Sequence, residues 1–139
     1  MRIAFGTDEE TDVTRFALDE LERLGHVVVR VAPGAAWPEV GHHVGEAVAT
    51  GTADRGVVCC WTGTGVAIAA NKVRGVRAAL CTDAATAQGA RRWNDANVLA
   101  FGLRLTSKEV AREMLDAFLR IDPDADERDT ISRVEPPLG

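Results

Sequence analysis

Hydrophobic residues along the chain alternate between short continuous runs and stripes spaced three or four residues apart. Residues 2–6 form an apolar run, and a helical stripe that begins at Val13 follows and ends at Gly25. The same alternation predicts strands at 2–6, 26–31, 56–61, 76–81 and 97–102, with a helix after each. Before the last helix, Thr106 and Glu109 have the spacing of a capping box.

Five apolar strands separated by helices predict a parallel sheet with right-handed crossovers and helices on both faces. The expected fold class is α/β, a three-layer α/β/α Rossmann-like sandwich formed by residues 1–121. Residues 122–139 form a charged tail, either a short outer helix or an arm that reaches a partner. Ligands of such sheets bind at the carboxyl ends of the strands. The residues there are Asp8 and Glu9, Cys60 to Gly65, Thr82 and Asp83, and Gly102 to Arg104.

Composition and charge exclude several function classes. A chain of 139 residues with a net charge of −5 and no basic stripe is not expected to bind nucleic acid. The apolar runs are too short for a membrane helix, and no signal peptide precedes the acidic residues after Gly6. Three cysteines, an odd number, suit a reducing cytosol better than a disulfide scaffold. No spacing of ligands predicts a metal, and no cofactor is expected.

Residues 60–65, Cys-Trp-Thr-Gly-Thr-Gly, carry the clearest chemical signal. A glycine-rich turn from a strand into a helix exposes backbone N–H groups and the positive end of a helix, which together favour an anion. The same field would favour the thiolate form of Cys60, which could then act as a base. The alternative is that Cys60 is a small core residue of a buried strand.

A dinucleotide site is a second interpretation of the same turn. Gly63 and Gly65 follow a strand, and Asp83 lies past the next strand, at a spacing along the chain that suits a contact with a ribose hydroxyl. However, Ile68 stands where the third small residue of the motif is needed, and the motif follows the third strand rather than the first. This interpretation predicts saturable binding of NAD.

Two blocks of the chain resemble the ribose-5-phosphate isomerase B and galactose-6-phosphate isomerase family. Residues 60–72 are similar to its Cys-Gly-Thr-Gly-x-Gly-x-x-x-Ala-Asn-Lys signature, and residues 94–102 to its Asn-Asp-x-Asn-Val-Leu-x-x-Gly block. Residues 3–8 match as well, and the similarity runs over about residues 1–120. The resemblance implies a metal-free aldose–ketose isomerase of sugar phosphates.

The resemblance also implies roles for individual residues. Cys60 would move a proton between C1 and C2 through an enediolate, and Thr62 would assist at the sugar oxygens. Backbone N–H groups around residues 63–67, with the Asn94 amide, would stabilise the negative oxygen. Asp8 would hold sugar hydroxyls. The expected substrate-binding residues are Asp8, Glu9, Trp61, Gly63, Thr64, Gly65, Trp93, Arg128 and Arg133.

The chain departs from the family pattern around the substrate. Glu9 replaces a histidine that helps to bind phosphate, and Trp93 replaces a histidine that assists ring opening. Trp61 replaces the glycine after the catalytic cysteine, and residues 36–39 replace an Asp-Tyr-Pro-His segment. We therefore expect an intact proton-transfer centre with an altered phosphate and ring-opening pocket. The three tryptophans that would line an apolar or stacking wall are Trp37, Trp61 and Trp93.

A homodimer with shared active sites is also implied, since the family's phosphate-clamping arginines often come from the partner subunit. Arg128 and Arg133 are their loose counterparts, in the tail that follows residue 121. His42 and His43 lie on adjacent helical positions and are interpreted as surface or interface residues. The alternative function is a non-catalytic or regulatory sugar-phosphate-binding protein of the same fold.

Overall fold

The computed structural model describes all residues, Met1–Gly139, and strands alternate with helices from end to end. The strands are β1 (Arg2–Thr7), β2 (Val27–Arg30), β3 (Arg55–Cys60), β4 (Ala78–Leu80) and β5 (Val98–Gly102). The helices are α1 (Asp12–Arg23), α2 (Trp37–Ala49), α3 (Thr64–Asn71), α4 (Ala84–Asn94), α5 (Lys108–Arg120) and α6 (Arg128–Ile131). A 3-10 turn, Ala125–Glu127, precedes α6. Each predicted strand overlaps an observed one.

All five strands are parallel, in the spatial order β2-β1-β3-β5-β4. Because crossovers between parallel strands are right-handed, steps in opposite directions along the sheet place their helices on opposite faces. Helices α2 and α3 pack on one face around Val44 and Val66. Helices α1, α4 and α5 pack on the other around Leu21, Ala87 and Met114. The predicted three-layer α/β/α sandwich is confirmed.

Strand β3 lies at the centre of the sheet and is buried on both faces. Val57 and Cys59 point into the α1/α4/α5 layer, whereas Val58 and Cys60 point into the α2/α3 layer. This alternation follows from the two-residue period of a strand. It leaves the two neighbouring thiols on opposite faces.

The predicted capping box before α5 is wrong by one residue. The N-cap is Ser107, whose hydroxyl accepts the N–H of Val110 at 3.2 Å. Thr106 is buried, and Glu109 pairs with Arg112 at 2.6 Å. Serine is the more favourable N-cap of the two, and Thr106 is buried, so both factors place the N-cap at Ser107.

The tail after α5 folds back on its own chain. Asp124 pairs with Arg92 at 3.1 Å, and Glu135 accepts the Gly75 N–H at 2.6 Å and pairs with Arg74 at 3.6 Å. The tail thus contains the short outer helix α6, one of the two forms that the sequence allows. No helix of the chain has both the length and the hydrophobicity that crossing a bilayer requires.

Candidate active site

The carboxyl ends of β1, β3 and β5 meet at one edge of the sheet, where the strand order reverses direction. The chain moves from β1 outward to β2 and then returns to β3 on the other side of β1. Thr7 pairs with Cys59, so Asp8 follows β1 alongside Cys60 at the end of β3. Such a reversal point is the usual ligand crevice of an open α/β sheet. We call this edge the carboxyl pole.

Cys60 is the last residue of β3 and the most exposed of the three thiols. The exposed fraction of Cys60 is 5 %, compared with 0 % for Cys59 and 1 % for Cys81. Burial raises the pKa of the Cys59 thiol well above its ordinary value and that of Cys81 to about 11. Cys59 and Cys81 are therefore protonated core residues, which leaves Cys60 as the thiol available for chemistry.

The turn from β3 into α3 requires glycine where it passes over β5. Gly63 has a φ of +78°, and a Cβ there would lie 2.7 Å from the Phe101 carbonyl carbon and 2.8 Å from the Gly102 nitrogen. A Cβ on Gly102 would likewise lie 2.6 Å from the Thr62 carbonyl oxygen. The close approach of the two backbones fixes the turn directly beside Cys60.

Five consecutive backbone N–H groups, those of residues 62–66, donate to no atom of the protein. Gly63 is the N-cap of α3 and offers no side chain to satisfy them, and the first helical bond is donated by Ala67. Orphan donors at the positive end of a helix form a site for an anionic oxygen. Above them the hydroxyls of Thr62 and Thr64 lie 2.7 Å apart.

On one side of this turn the end of β1 carries carboxylates. The Thr7 hydroxyl donates to the Glu9 carbonyl oxygen at 2.7 Å, which holds the loop after β1, and the Asp8 and Glu9 side chains are exposed. Glu10 pairs with Arg30 at 3.0 Å across a cavity of about 120 Å³. This side of the pole therefore favours hydroxyl groups over anions.

On the other side lies a cavity of about 190 Å³ at the ends of β4 and β5. Trp61 lines it together with Thr62, and Arg104 contributes an exposed guanidinium that forms no ion pair. The Arg104 N–H donates to the Trp61 carbonyl oxygen at 2.9 Å, which ties the two strand ends together. The sequence places Arg104 at this edge of the sheet, directly after β5, but gives it no role in the site.

Four predicted site residues lie at the opposite, amino-terminal edge of the sheet, which we call the amino pole. Trp93 and Asn94 end α4, and Asn97 just beyond them accepts the N–H of Gly56 at the beginning of β3. Since β3 runs about 13–17 Å from that point to Cys60, Asn94 does not reach the thiol of its own chain. Arg128 and Arg133 lie in the tail, exposed and without ion pairs.

Trp93 lies in an apolar groove of about 870 Å³ along the exposed edge of β4, lined also by Leu80, Ala85 and Val134. A Cβ on Gly89 would lie 2.7 Å from the indole, so the ring rests flat on the preceding turn of α4. Trp37 instead covers Gly65, and Trp61 lines the cavity beside Arg104. One chain therefore does not bring the three tryptophans into a single wall.

Comparison with known proteins identifies the family. The family model described as Ribose/Galactose Isomerase matches residues 3–135. The chain belongs to the ribose/galactose isomerase family. This membership confirms the enzyme class that the two sequence blocks predict, an intramolecular oxidoreductase.

Individual relatives cover nearly the whole length. Ribose-5-phosphate isomerase B of Escherichia coli is 38 % identical over 128 residues, 85 % of this chain and 83 % of that protein. D-erythrulose-4-phosphate isomerase of Pectobacterium atrosepticum is 36 % identical over 125 residues, 86 % and 82 % of the two chains. The structure of Clostridium thermocellum ribose-5-phosphate isomerase B superposes with a TM-score of 0.90 at 34 % identity, covering 96 % and 95 %.

Proposed function

We propose that this family member interconverts the aldose and ketose forms of a small sugar phosphate, with Cys60 as the base. The observation that supports this proposal is the position of Cys60 beside the five unpaired N–H groups of residues 62–66. A base next to preorganised donors for an oxyanion is what an enediolate mechanism requires. The names of the relatives support a sugar phosphate as the substrate class.

The Cys60 thiolate removes the proton from C2 of the open-chain aldose, and the electron pair of that C–H bond forms the C1–C2 double bond while negative charge moves to O1. The N–H groups of residues 62–66 stabilise that oxygen. The Thr62 hydroxyl passes the O2 proton to O1, and the Cys60 thiol returns its proton to C1, which gives the ketose and restores the thiolate.

The charges at the carboxyl pole determine how the substrate is oriented, with its hydroxyl groups on one side and its anionic group on the other. Asp8 holds sugar hydroxyls at the end of β1, where Glu9 would repel a phosphate. The Arg104 guanidinium, which forms no ion pair, lines the cavity with Thr62 and binds the anionic group of the substrate. Proton transfer between them takes place at Cys60.

The site is completed by a second copy of the chain. Asn94, Trp93, Arg128 and Arg133 lie at the amino pole of their own chain, so they approach Cys60 only from a partner. The apolar groove along β4 is the surface on which we place that partner, and Trp93 and Asn94 line it. Three unpaired thiols suit the reducing cytosol in which we place this dimer.

Uptake of deuterium from D₂O tests the chemistry. A panel of four-, five- and six-carbon sugar phosphates is incubated with the enzyme, and exchange at the carbon next to the carbonyl is followed by NMR. Cys60→Ala should lower turnover by about 10²–10⁴-fold. Cys59→Ala, on the same strand but the opposite face, is the matched control and should retain turnover. Ligand binding without any exchange would instead favour the regulatory sugar-phosphate-binding protein.

Mixing two inactive variants tests the shared site. Cys60→Ala and Asn94→Ala are unfolded together and refolded as a mixture, so that half of the dimers contain one chain of each. One of the two sites in each mixed dimer is then intact, and the mixture should recover about a quarter of the wild-type activity. No recovery, with the mixed dimers confirmed by mass spectrometry, would place Asn94 outside the partner's site.

A further inference from the structure

We propose that this enzyme takes sugar phosphates that are already open chains, above all four-carbon sugar 4-phosphates, because its site has no group that opens a ring. The inference rests on the isomerase function proposed above and specifies its substrate. It is drawn from the placement of the three histidines, of Trp93 and of Trp61.

Formation of the enediolate requires a free carbonyl at C1, which a ring form lacks. To open a ring, the bond between C1 and the ring oxygen must break, the ring oxygen must gain a proton and the anomeric hydroxyl must lose one. A group that donates and accepts protons near neutral pH catalyses both transfers. Aldopentose and aldohexose phosphates need this step, whereas in a four-carbon 4-phosphate the hydroxyl that would close a five-membered ring is esterified.

Histidine is the side chain whose ordinary pKa suits this task, and none lies at the site. His26 contacts the Met1 amino group at 3.1 Å, near the start of β2. His42 pairs with Glu46 at 3.0 Å on the outer surface of α2, and His43 is its exposed neighbour. The chain has no fourth histidine.

The amino pole, which a partner would present to Cys60, offers no substitute. Trp93 precedes Asn94 and is 52 % exposed in the groove, but an indole only donates a hydrogen bond and accepts no proton. Arg92 stacks over its ring at 5.7 Å, and a guanidinium has donors but no acceptor. At the other end of the same helix, at the carboxyl pole, the Asp83 carboxylate caps α4 by accepting the Thr86 N–H at 2.7 Å, which holds its pKa below the ordinary value.

The carboxyl pole offers only groups that suit other roles. Asp8 and Glu9 are solvent-exposed side chains at the end of β1, where Asp8 is assigned to the sugar hydroxyls. Thr62 and Thr64 are hydroxyls bonded to each other. Neither pole therefore offers a histidine to exchange a proton with the ring oxygen.

The position of the Trp61 indole favours a short substrate. Trp61 is 54 % exposed and, with Leu80 and Leu105, lines the cavity that Thr62 and Arg104 also line. The cavity left there is about 190 Å³, below the roughly 300–1,000 Å³ of ordinary small-molecule pockets. The cavity beside Arg104 therefore has room for a small anionic group and few further atoms.

The dependence of rate on enzyme concentration tests the proposal with the wild-type protein. Turnover of a four-carbon 4-phosphate, and of ribulose 5-phosphate, which has no five-membered ring form either, should rise in proportion to enzyme. Turnover of ribose 5-phosphate should instead reach a plateau at the spontaneous rate of ring opening. Its kcat/KM should lie at least about 100-fold below that of the four-carbon substrate. Proportional turnover of ribose 5-phosphate, with kcat/KM equal to or above the four-carbon value, would overturn the proposal.

Variants at position 93 test whether a histidine there would supply the missing ring-opening group. Trp93→His should raise the ribose 5-phosphate plateau without a matching gain for ribulose 5-phosphate, while Trp93→Phe, which keeps a flat ring against Gly89, should leave the plateau where it is. An unchanged plateau in Trp93→His would contradict the assignment to this position. Absence of deuterium exchange with every compound would refute the isomerase function itself, a result distinct from failure of the substrate inference.

Discussion

At the residue scale, the three cysteines differ in the access that the fold leaves to each sulfur. Cys59 and Cys81 are enclosed by the core on the α1/α4/α5 face, and burial raises the pKa of both thiols. We expect a small alkylating agent at neutral pH to modify Cys60 first, because the thiolate is the reactive form and needs contact with solvent. Peptide mass spectrometry after timed quenching measures the order. Equal labelling of Cys81 would contradict the assignment of Cys60 as the available thiol.

The same two buried thiols predict how stability responds to alkali. Below the ordinary thiol pKa of 9.0, Cys81 is protonated in both the folded and the unfolded chain. Above this pKa the unfolded chain loses the Cys81 proton, whereas the folded chain keeps it up to about pH 11. The folded state then binds more protons, so the free energy of unfolding falls as the pH rises through this window.

Urea midpoints measured near pH 8 and near pH 10 check this expectation, with the lower midpoint at about pH 10. The chain contains no tyrosine, so no phenol titrates in this range. Cys81→Ala should make the midpoint less dependent on pH even though it lowers stability overall. An equal drop in the variant would assign the effect to other groups.

At the scale of single elements, the turn from β3 to α3 depends on Gly63. Gly63→Ala would combine a left-handed backbone with a Cβ less than 3 Å from backbone atoms of β5. We expect a loss of about 2–4 kcal/mol in the free energy of unfolding, and a fall in kcat as the N–H groups move. Gly51→Ala is the matched control: its φ is +81° but open space surrounds it, so the cost should be about 1 kcal/mol with kcat unchanged. Similar losses of unfolding free energy in both variants would show that the backbone at Gly63 does not lie close to β5.

The end of α4 depends on Asp95 in a comparable way. Asp95 adopts a φ of +47° and pairs with Arg91 at 2.9 Å and with Arg77 at 3.2 Å, and the Arg91 side chain is only 3 % exposed. Asp95→Ala should cost about 2–4 kcal/mol, because it leaves a buried guanidinium less paired and strains the backbone. Asp95→Asn retains the tolerance of left-handed φ and should cost less. Urea denaturation of both variants measures the difference, and equal losses would exclude a backbone contribution.

The elements and the carboxyl pole were predictable because they depend on local signals. The two-residue period of β3 separates Cys59 from Cys60, and glycines at 63 and 65 mark a strand-to-helix turn. The position of β5 between β3 and β4 was not predictable in this way, because it depends on pairing between distant segments. That position brings Gly102 under Thr62 and Arg104 beside Trp61. The tail was also unpredictable, since its path depends on Glu135 reaching Gly75.

At the scale of the whole molecule, the candidate site is divided between two poles of the sheet. Helix α4 runs antiparallel to β5, so its last residues, Trp93 and Asn94, lie at the amino pole, while Cys60 lies at the other end. The α/β architecture alone imposes this separation. The site proposed above uses both poles, so this proposal requires two chains and makes activity dependent on their interface.

A charge placed in the β4 groove tests that dependence. Ala85 is exposed on α4 and lines the groove, so Ala85→Arg adds a long cation to the proposed interface without disturbing the core of its own chain. We expect this variant to keep its circular dichroism spectrum, to sediment as a monomer and to lose isomerase activity, because burying an unpaired charge opposes association. Ala49→Arg, at the exposed end of α2 and outside the groove, should remain a fully active dimer. A dimeric and active Ala85→Arg would show that the partner binds elsewhere, and the residues of the amino pole would then require another route to Cys60.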